Sequence, residues 1–492
     1  MFFESIGQVY KTIVYDNMKV AVRKFIGPNT RYLKEKFLMK LDLYQKIKGI
    51  DASKWHPKFK ILMNEGLHLS GEKSVVSNWT EGFVDRDKKI IKEFQTTFHS
   101  SFWEFYLFAL FKDAGFTLDQ TNNRPDFIIK SPAEIYVEAV VSNIKDGGKK
   151  EDERNLGYYM SMFTPPYMQL DFYDVLDEAI IRHSNAITKK NKMFIEGYRK
   201  CEWIHPENPF VIAISSYAQI NYGREYIYPM LALLYGLYYH PETDSFIKKS
   251  CVIKKDTNAE IPIGIFNNSK YDSISAIIYS CTTTLGKLTS LMISSGNPSM
   301  NVVYNIRKDD EDFKIPYKLQ IVNSDSPEVL SDGIFVFHNP NAKHKIPVEY
   351  FETTNATQYF IKEDKLIHTS NTFPIVARLN ISVVLKEGFE MLIQENLRAY
   401  NQVSVDDFYD IKLPEEKKKS FDVECSVCII GKSNKNNQTM VFHYERPQFM
   451  HDDILTKEAN KNFEDMKKRK LHNVDELLAI YIARTQEQYD SI

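Results

Sequence analysis

Apolar residues along this chain fall into two rhythms. Short runs are apolar at almost every position: Phe127-Ile128-Ile129, Ile135 to Val141, Phe210 to Ile214 and Ile274 to Tyr279. Runs of this kind predict strands, and those at Ile135 to Val141 and Phe210 to Ile214 predict strands buried on both faces. Longer stretches follow the helical period. One helix is predicted from about Lys89 to Phe111, ending at Asp113-Ala114-Gly115, where glycine suits a left-handed cap. A second runs from about Asp171 to Lys200 with an apolar stripe through Leu176, Ile180, Ile187 and Phe194. A third, apolar throughout, covers Tyr226–Tyr239. The order helix, strand, strand, helix, strand predicts an α/β (α+β) sandwich rather than a helical bundle or an all-β fold.

Outside this stretch the alternation is less defined. Residues 1–75 read as helical and basic, broken at Gly27-Pro28-Asn29. Strands are expected at Val302–Ile306 and Gly333–His338, and two more near 423–431 and 438–445. A charged linker is expected over 408–424 and a charged terminal helix from about Asp452. These features suggest a basic helical region over 1–88, a core over 89–345 and an accessory region over 346–492.

Composition narrows the class. With 492 residues, 43% hydrophobic and only 19 Gly and 19 Pro, the chain is neither disordered nor collagen-like, and its length implies more than one domain. Five scattered cysteines make no disulfide framework, so a reducing cytoplasm is expected. The longest apolar run, Pro229 to Tyr239, is about half a bilayer span, so no membrane crossing is expected. Net charge is −2, which argues against indiscriminate nucleic-acid coating. Charge is nevertheless concentrated: residues 1–60 carry 13 Lys/Arg against 5 Asp/Glu, and residues 182–200 carry six against one. Two such patches favour a polyanionic ligand.

The candidate chemistry lies between 101 and 141. From Phe102 to Phe111 nine of ten residues are apolar, and the exception is Glu104. Glu138 is the lone charge in Ile-Tyr-Val-Glu-Ala-Val-Val, and Asp126 stands at the mouth of the preceding strand. A carboxylate inside an apolar run is costly unless it is paired or bound to a cation. Hard divalent cations accept one or two carboxylates together with waters and phosphate oxygens, which suits Mg²⁺ or Mn²⁺.

Pro125-Asp126, followed twelve residues on by Glu138-Ala139-Val140, resembles the PD-(D/E)XK, or restriction-endonuclease-like, superfamily of metal-dependent nucleases. The resemblance covers roughly residues 90–220. It implies a central mixed sheet flanked by helices, a metal held by Asp126 and Glu138 with help from Glu104, and hydrolysis of phosphodiesters in nucleic acid, DNA before RNA. The superfamily's lysine is replaced by Val140. Members of the superfamily can carry that lysine on the following helix, where Lys190 lies about 60° from the centre of the apolar stripe. Lys190 is therefore the candidate to position the attacking water. Arg182, Lys189 and Lys192 are candidate contacts to the nucleic-acid backbone. The pattern Arg-x3-Ala-Ile-x2-Lys before Pro-Phe-Val-Ile-Ala is similar to that of some uncharacterised bacterial nuclease-like proteins, and a nuclease with such appendages resembles anti-phage defence effectors. A homodimer or a defence-system subunit is the implied partner.

Two other readings stay open. The same fold could hold DNA or another subunit without hydrolysis, or the lone acids could pair structurally with Arg182 or Arg124. Cys425-x-x-Cys428 lacks further zinc ligands and reads as core. Gly286-Lys287-Leu288-Thr289 lacks the pattern of a phosphate loop and reads as a helix start. The Gly147-Gly148-Lys149-Lys150 turn reads as a surface loop.

Overall fold

A computed structural model describes residues 22–25, 31–33, 40–144, 148, 164–219, 223–312, 314–383, 386–401, 424–432, 439–447, 450–468, 475–485 and 488–489. The chain divides into two compact units, Met1–Gln402 and Val403–Ile492. The first begins with the hairpin β1 (Val22–Phe25) and β2 (Arg31–Leu33), so this piece of the region read as helical is extended. Four helices follow: α1 (Pro57–Met63), α2 (Ser70–Trp79), α3 (Ile90–Thr96) and α4 (His99–Asp113).

The single helix expected over 89–111 is broken between α3 and α4. Thr97 and Phe98 both donate their amides to the Glu93 carbonyl, and Phe98 takes φ +55°. With ψ −67°, this is the strained γ-turn conformation, which costs a non-glycine residue on the order of 1–3 kcal/mol. The Phe98 ring offsets the cost by wedging against Phe94 and Phe102, with centroids 5.0 and 5.1 Å away.

After α4 come β3 (Thr117–Asp119), β4 (Phe127–Ser131) and β5 (Ile135–Asn143), the long helix α5 (Phe172–Glu196) and β6 (Phe210–Tyr217). Next are α6 (Tyr228–Tyr235), β7 (Leu237–His240), β8 (Ser245–Lys248), β9 (Cys251–Lys254), β10 (Ala259–Pro262) and β11 (Ile274–Ser280). The helix expected over 226–239 stops early because Gly236, at φ +76°, turns the chain into β7. The unit closes with α7 (Leu285–Ser294), β12 (Asn301–Lys308), β13 (Tyr317–Ile321), β14 (Phe335–His338), β15 (Thr357–Lys362), β16 (Lys365–Thr369), β17 (Ile375–Ser382) and α8 (Lys386–Tyr400).

Eight strands form one mixed sheet in the order β16-β15-β14-β11-β6-β5-β4-β3. Strands β5, β6 and β11 run parallel, and β4 meets β5 as an antiparallel hairpin. Alternation along the strands loads both faces. Phe127, Ile129, Val137, Ala139 and Val211 pack with the aromatic residues of α1 to α4. Ile128, Tyr136, Phe210, Ile212 and Ile214 pack with α5 and α6. The structure is thus mixed α/β, with a large mixed sheet flanked by helices.

The boundaries expected at 88 and 345 both fall inside the first unit. Leu43, Phe59 and Val76 share a core with α4, and β15 and β16 extend the same sheet past 345. The second unit holds β18 (Glu424–Lys432), β19 (Thr439–Pro447), α9 (Asp452–Lys468) and β20 (Glu476–Ala483), with β18 central in a three-stranded sheet. Cys425 and Cys428 lie buried on β18. The break at Gly27-Pro28-Asn29 lies outside the described residues, as do the 147–150 turn and the 408–424 linker but for Gly148 and Glu424. Among the described residues no helix is long and apolar enough to cross a membrane.

Candidate functional site

The β4–β5 hairpin and the two helices that cover it bring the predicted acids together. Asp126 immediately precedes β4, and its carboxylate accepts the Ala139 amide at 2.8 Å, tying the strand mouth to the middle of β5. The turn before it is held from outside: Arg86 donates to the Asp126 carbonyl at 2.8 Å and also to the Asn122 carbonyl, and Trp203 Nε1 donates to the Arg124 carbonyl at 2.9 Å.

Glu138 lies opposite Ile212 of β6 and is only 3% exposed. It shares a face of β5 with Tyr136, so it points towards α5. There Lys190 Nζ donates to Glu138 Oε1 at 2.6 Å, and Tyr198 Oη donates to the same oxygen at 3.1 Å. The other oxygen, Oε2, is buried with no hydrogen-bond partner among the described residues.

Glu104, on α4, is partly open to solvent although densely surrounded by protein. Burial, then the Asp126 carboxylate, raises its pKa well above the usual range, and Glu93 and Glu138 add to this against the pull of Arg86. Burial and then Glu138 push Asp126 up to about 7, opposed by Lys190, the Ala139 amide and Arg86. Burial works against charge on Lys190, but Glu138, Asp126 and Glu104 together raise its pKa. The three acids therefore sit within one another's field, with one lysine drawn towards them.

The remaining candidates stay outside this centre. Arg182 faces Glu178 at 3.5 Å and Lys192 faces Glu196 at 3.8 Å, each pair one turn apart on α5, and Lys189 is exposed. Glu138 thus pairs with Lys190, and Arg182 pairs elsewhere. Val140, two residues after Glu138, packs against the apolar core on the α5 face. Tyr198 and Arg86 were not legible in the sequence. Tyr198 lies past the end of α5, where a helical projection no longer applies, and Arg86 lies in a loop 40 residues before Asp126.

Among the described residues no group of three or more His, Cys, Asp or Glu side chains is arranged to hold a metal ion. A hard cation such as Mg²⁺ needs fewer protein ligands, because it keeps several waters and binds through one or two carboxylates. Asp126 and the unpartnered Oε2 of Glu138 meet that requirement in kind: oxygen donors, ionisable, and crowded by like charge.

A second ionic cluster in the unit pairs its charges internally. Lys287, in the first turn of α7, donates to Glu328 at 2.7 Å and to the Val329 and Asp332 carbonyls. Arg378 also binds Glu328, and Arg307 binds Asp332 at 2.8 Å. The fold and the carboxylate centre define a mixed α/β protein whose large sheet buries an acid–lysine pair. No family model, curated protein or solved structure matches the chain.

Proposed function

We propose that this chain is a divalent-metal-dependent phosphodiesterase acting on nucleic acid, with DNA the first substrate to test, built on a restriction-endonuclease-like version of the mixed sheet. The observation that carries the reading is the Glu138 carboxylate: one oxygen takes two donors, the other lies buried and unpartnered, and Asp126 and Glu104 feel the charge of the same group. Leaving a charged acceptor buried and unsatisfied is costly, and a cation would satisfy it. Asp126 and Glu138 would hold Mg²⁺ or Mn²⁺, with Glu104 beside them. Such an ion supplies a hydroxide near neutral pH and neutralises charge on the phosphodiester. Lys190 holds Glu138 in place, and its remaining N–H groups are free to orient a water or a phosphate oxygen. Lys189, with Arg182 and Lys192 on the same helix, would meet the polyanion backbone.

One observation favours a second reading, in which the fold holds nucleic acid without cutting it. Val140 occupies the superfamily's lysine position, and Lys190 already spends one proton on Glu138. Incubating the full chain with supercoiled plasmid in Mg²⁺, Mn²⁺ or EDTA separates the two. The expected result is metal-dependent nicking, reduced at least 100-fold by Asp126→Asn and by Lys190→Met. Plasmid left intact while being retained equally in metal and in EDTA would support the second reading and overturn the first.

A further inference from the structure

The cation reading above leaves open why Glu138 presents Oε2 rather than turning both oxygens towards Lys190. A carboxylate facing one lysine can swing about its terminal torsion, which is broad. Here Oε1 carries two donors, Lys190 Nζ at 2.6 Å and Tyr198 Oη at 3.1 Å, which uses both of its lone pairs. The donors come from one continuous segment. Lys190 lies on α5, and Tyr198 opens the 3-10 turn Tyr198–Lys200 just beyond the helix end.

That segment is anchored independently of the site. Phe194 stacks on Phe210 of β6 with centroids 3.9 Å apart, and Asn191 donates to the Lys270 carbonyl at 2.8 Å. The link between helix and turn is Gly197, where a Cβ would stand 2.8 Å from the Met193 carbonyl oxygen. Any larger residue would have to push the turn away from the helix end, taking Tyr198 with it.

We infer that Tyr198 is a positioning residue that, together with Lys190, clamps one oxygen of Glu138 and thereby aims the other at a divalent cation. The inference rests on the cation reading and goes beyond it by assigning a task to a tyrosine outside the acid–lysine set. Tyr198 touches neither the cation nor a substrate in this arrangement; it acts through Glu138.

The test is Mn²⁺ alone, titrated calorimetrically into the full chain, with Asp126→Asn and Tyr198→Phe beside the wild type. Phenylalanine keeps the ring and removes only the hydroxyl. The wild type is expected to bind Mn²⁺ and Asp126→Asn to lose it. Tyr198→Phe is expected to bind about 10-fold more weakly, as loss of partners that orient a ligand commonly does. The Mn²⁺ electron paramagnetic resonance line of the variant should also broaden or shift, reporting a changed carboxylate geometry that mere loss of stability would not produce. Wild-type binding that needs Asp126, with affinity and line shape unaltered in Tyr198→Phe, would overturn the positioning role and leave the cation reading standing. A wild type that binds no Mn²⁺, or binds it without Asp126, would overturn both.

Discussion

His183 lies wholly buried on α5, seven residues before Lys190, and shows what removal from water does to a single side chain. Its Nδ1 meets Ser142 Oγ at 2.9 Å, the edge of Tyr279 packs on the ring, and Nε2 has no partner among the described residues. With no acid at hand to support an imidazolium, burial pushes its pKa down to about 3. In the unfolded chain the same group titrates near about 6.5. The unfolded state therefore binds the extra proton first, and stability falls as pH drops from about 6.5 towards 3, by up to about 1.4 kcal/mol per pH unit for this group. His183→Gln keeps a partner for Ser142 and cannot titrate. Urea unfolding at pH 7.5, 6, 5 and 4 should show a shallower acid loss for the variant, by about one proton. Parallel profiles would mean that His183 does not stay neutral in the fold. The contrast with the candidate site bears on what a sequence discloses. Glu104, Asp126 and Glu138 were visible because each is a charge where the pattern forbids one, and Lys190 because helical phase turns it towards the sheet. His183 breaks no pattern, and Tyr198 and Arg86 act from places where no period applies.

Among the elements, the strands easiest to foresee were those buried on both faces, because their signal is simple exclusion of polar residues. Strands β6 and β11 are of this kind throughout, and β5 over most of its length. Strands β8 and β10 are mostly exposed, β7 lies in an apolar run that also reads as helix, and β13 and β17 mix apolar with polar residues that pair inside the protein, so neither rhythm marks them as strands. Strand β12, foreseen over Val302–Ile306, carries Asn305 and Arg307, both buried, into the ionic cluster around Glu328. That cluster ties the three-stranded sheet β13-β12-β17 to α7. Burial alone would keep Glu328 neutral, but Arg378 and Lys287 hold its carboxyl well below the usual range. Removing the charge strands two buried cations, a loss that typically costs about 3–5 kcal/mol. Glu328→Gln should accordingly lower the unfolding free energy of the first unit, measured by urea unfolding, by that much. A variant as stable as the wild type would show that the two cations find water or other partners. The same side chains could not have been assembled from sequence, since Lys287, Arg307 and Arg378 stand on three different elements, and Glu328 and Asp332 lie in a loop far from all of them in sequence.

On the scale of the whole chain, two separate cores imply two separate unfolding events. The first unit buries both faces of an eight-stranded sheet. The second has a small core of Cys425, Val427, Ile429, Leu455, Ala459 and Phe463 between β18 and α9. Its strands and helix were anticipated near 423, 438 and 452, whereas β20 was not, its residues alternating only loosely between exposed and half-buried. Leu455 is fully buried, so Leu455→Ala removes contacts and opens a cavity at a cost of about 2–5 kcal/mol. In a unit this small that cost corresponds to a midpoint lower by about 10 °C or more. Calorimetry of the full chain should show two transitions, with Leu455→Ala moving only the smaller. Mn²⁺ should move only the larger, because every residue proposed to hold it lies in the first unit. A single transition shifted as a whole by Leu455→Ala would mean that the cores unfold together, and a shift of the smaller transition by Mn²⁺ would place a cation site in the second unit.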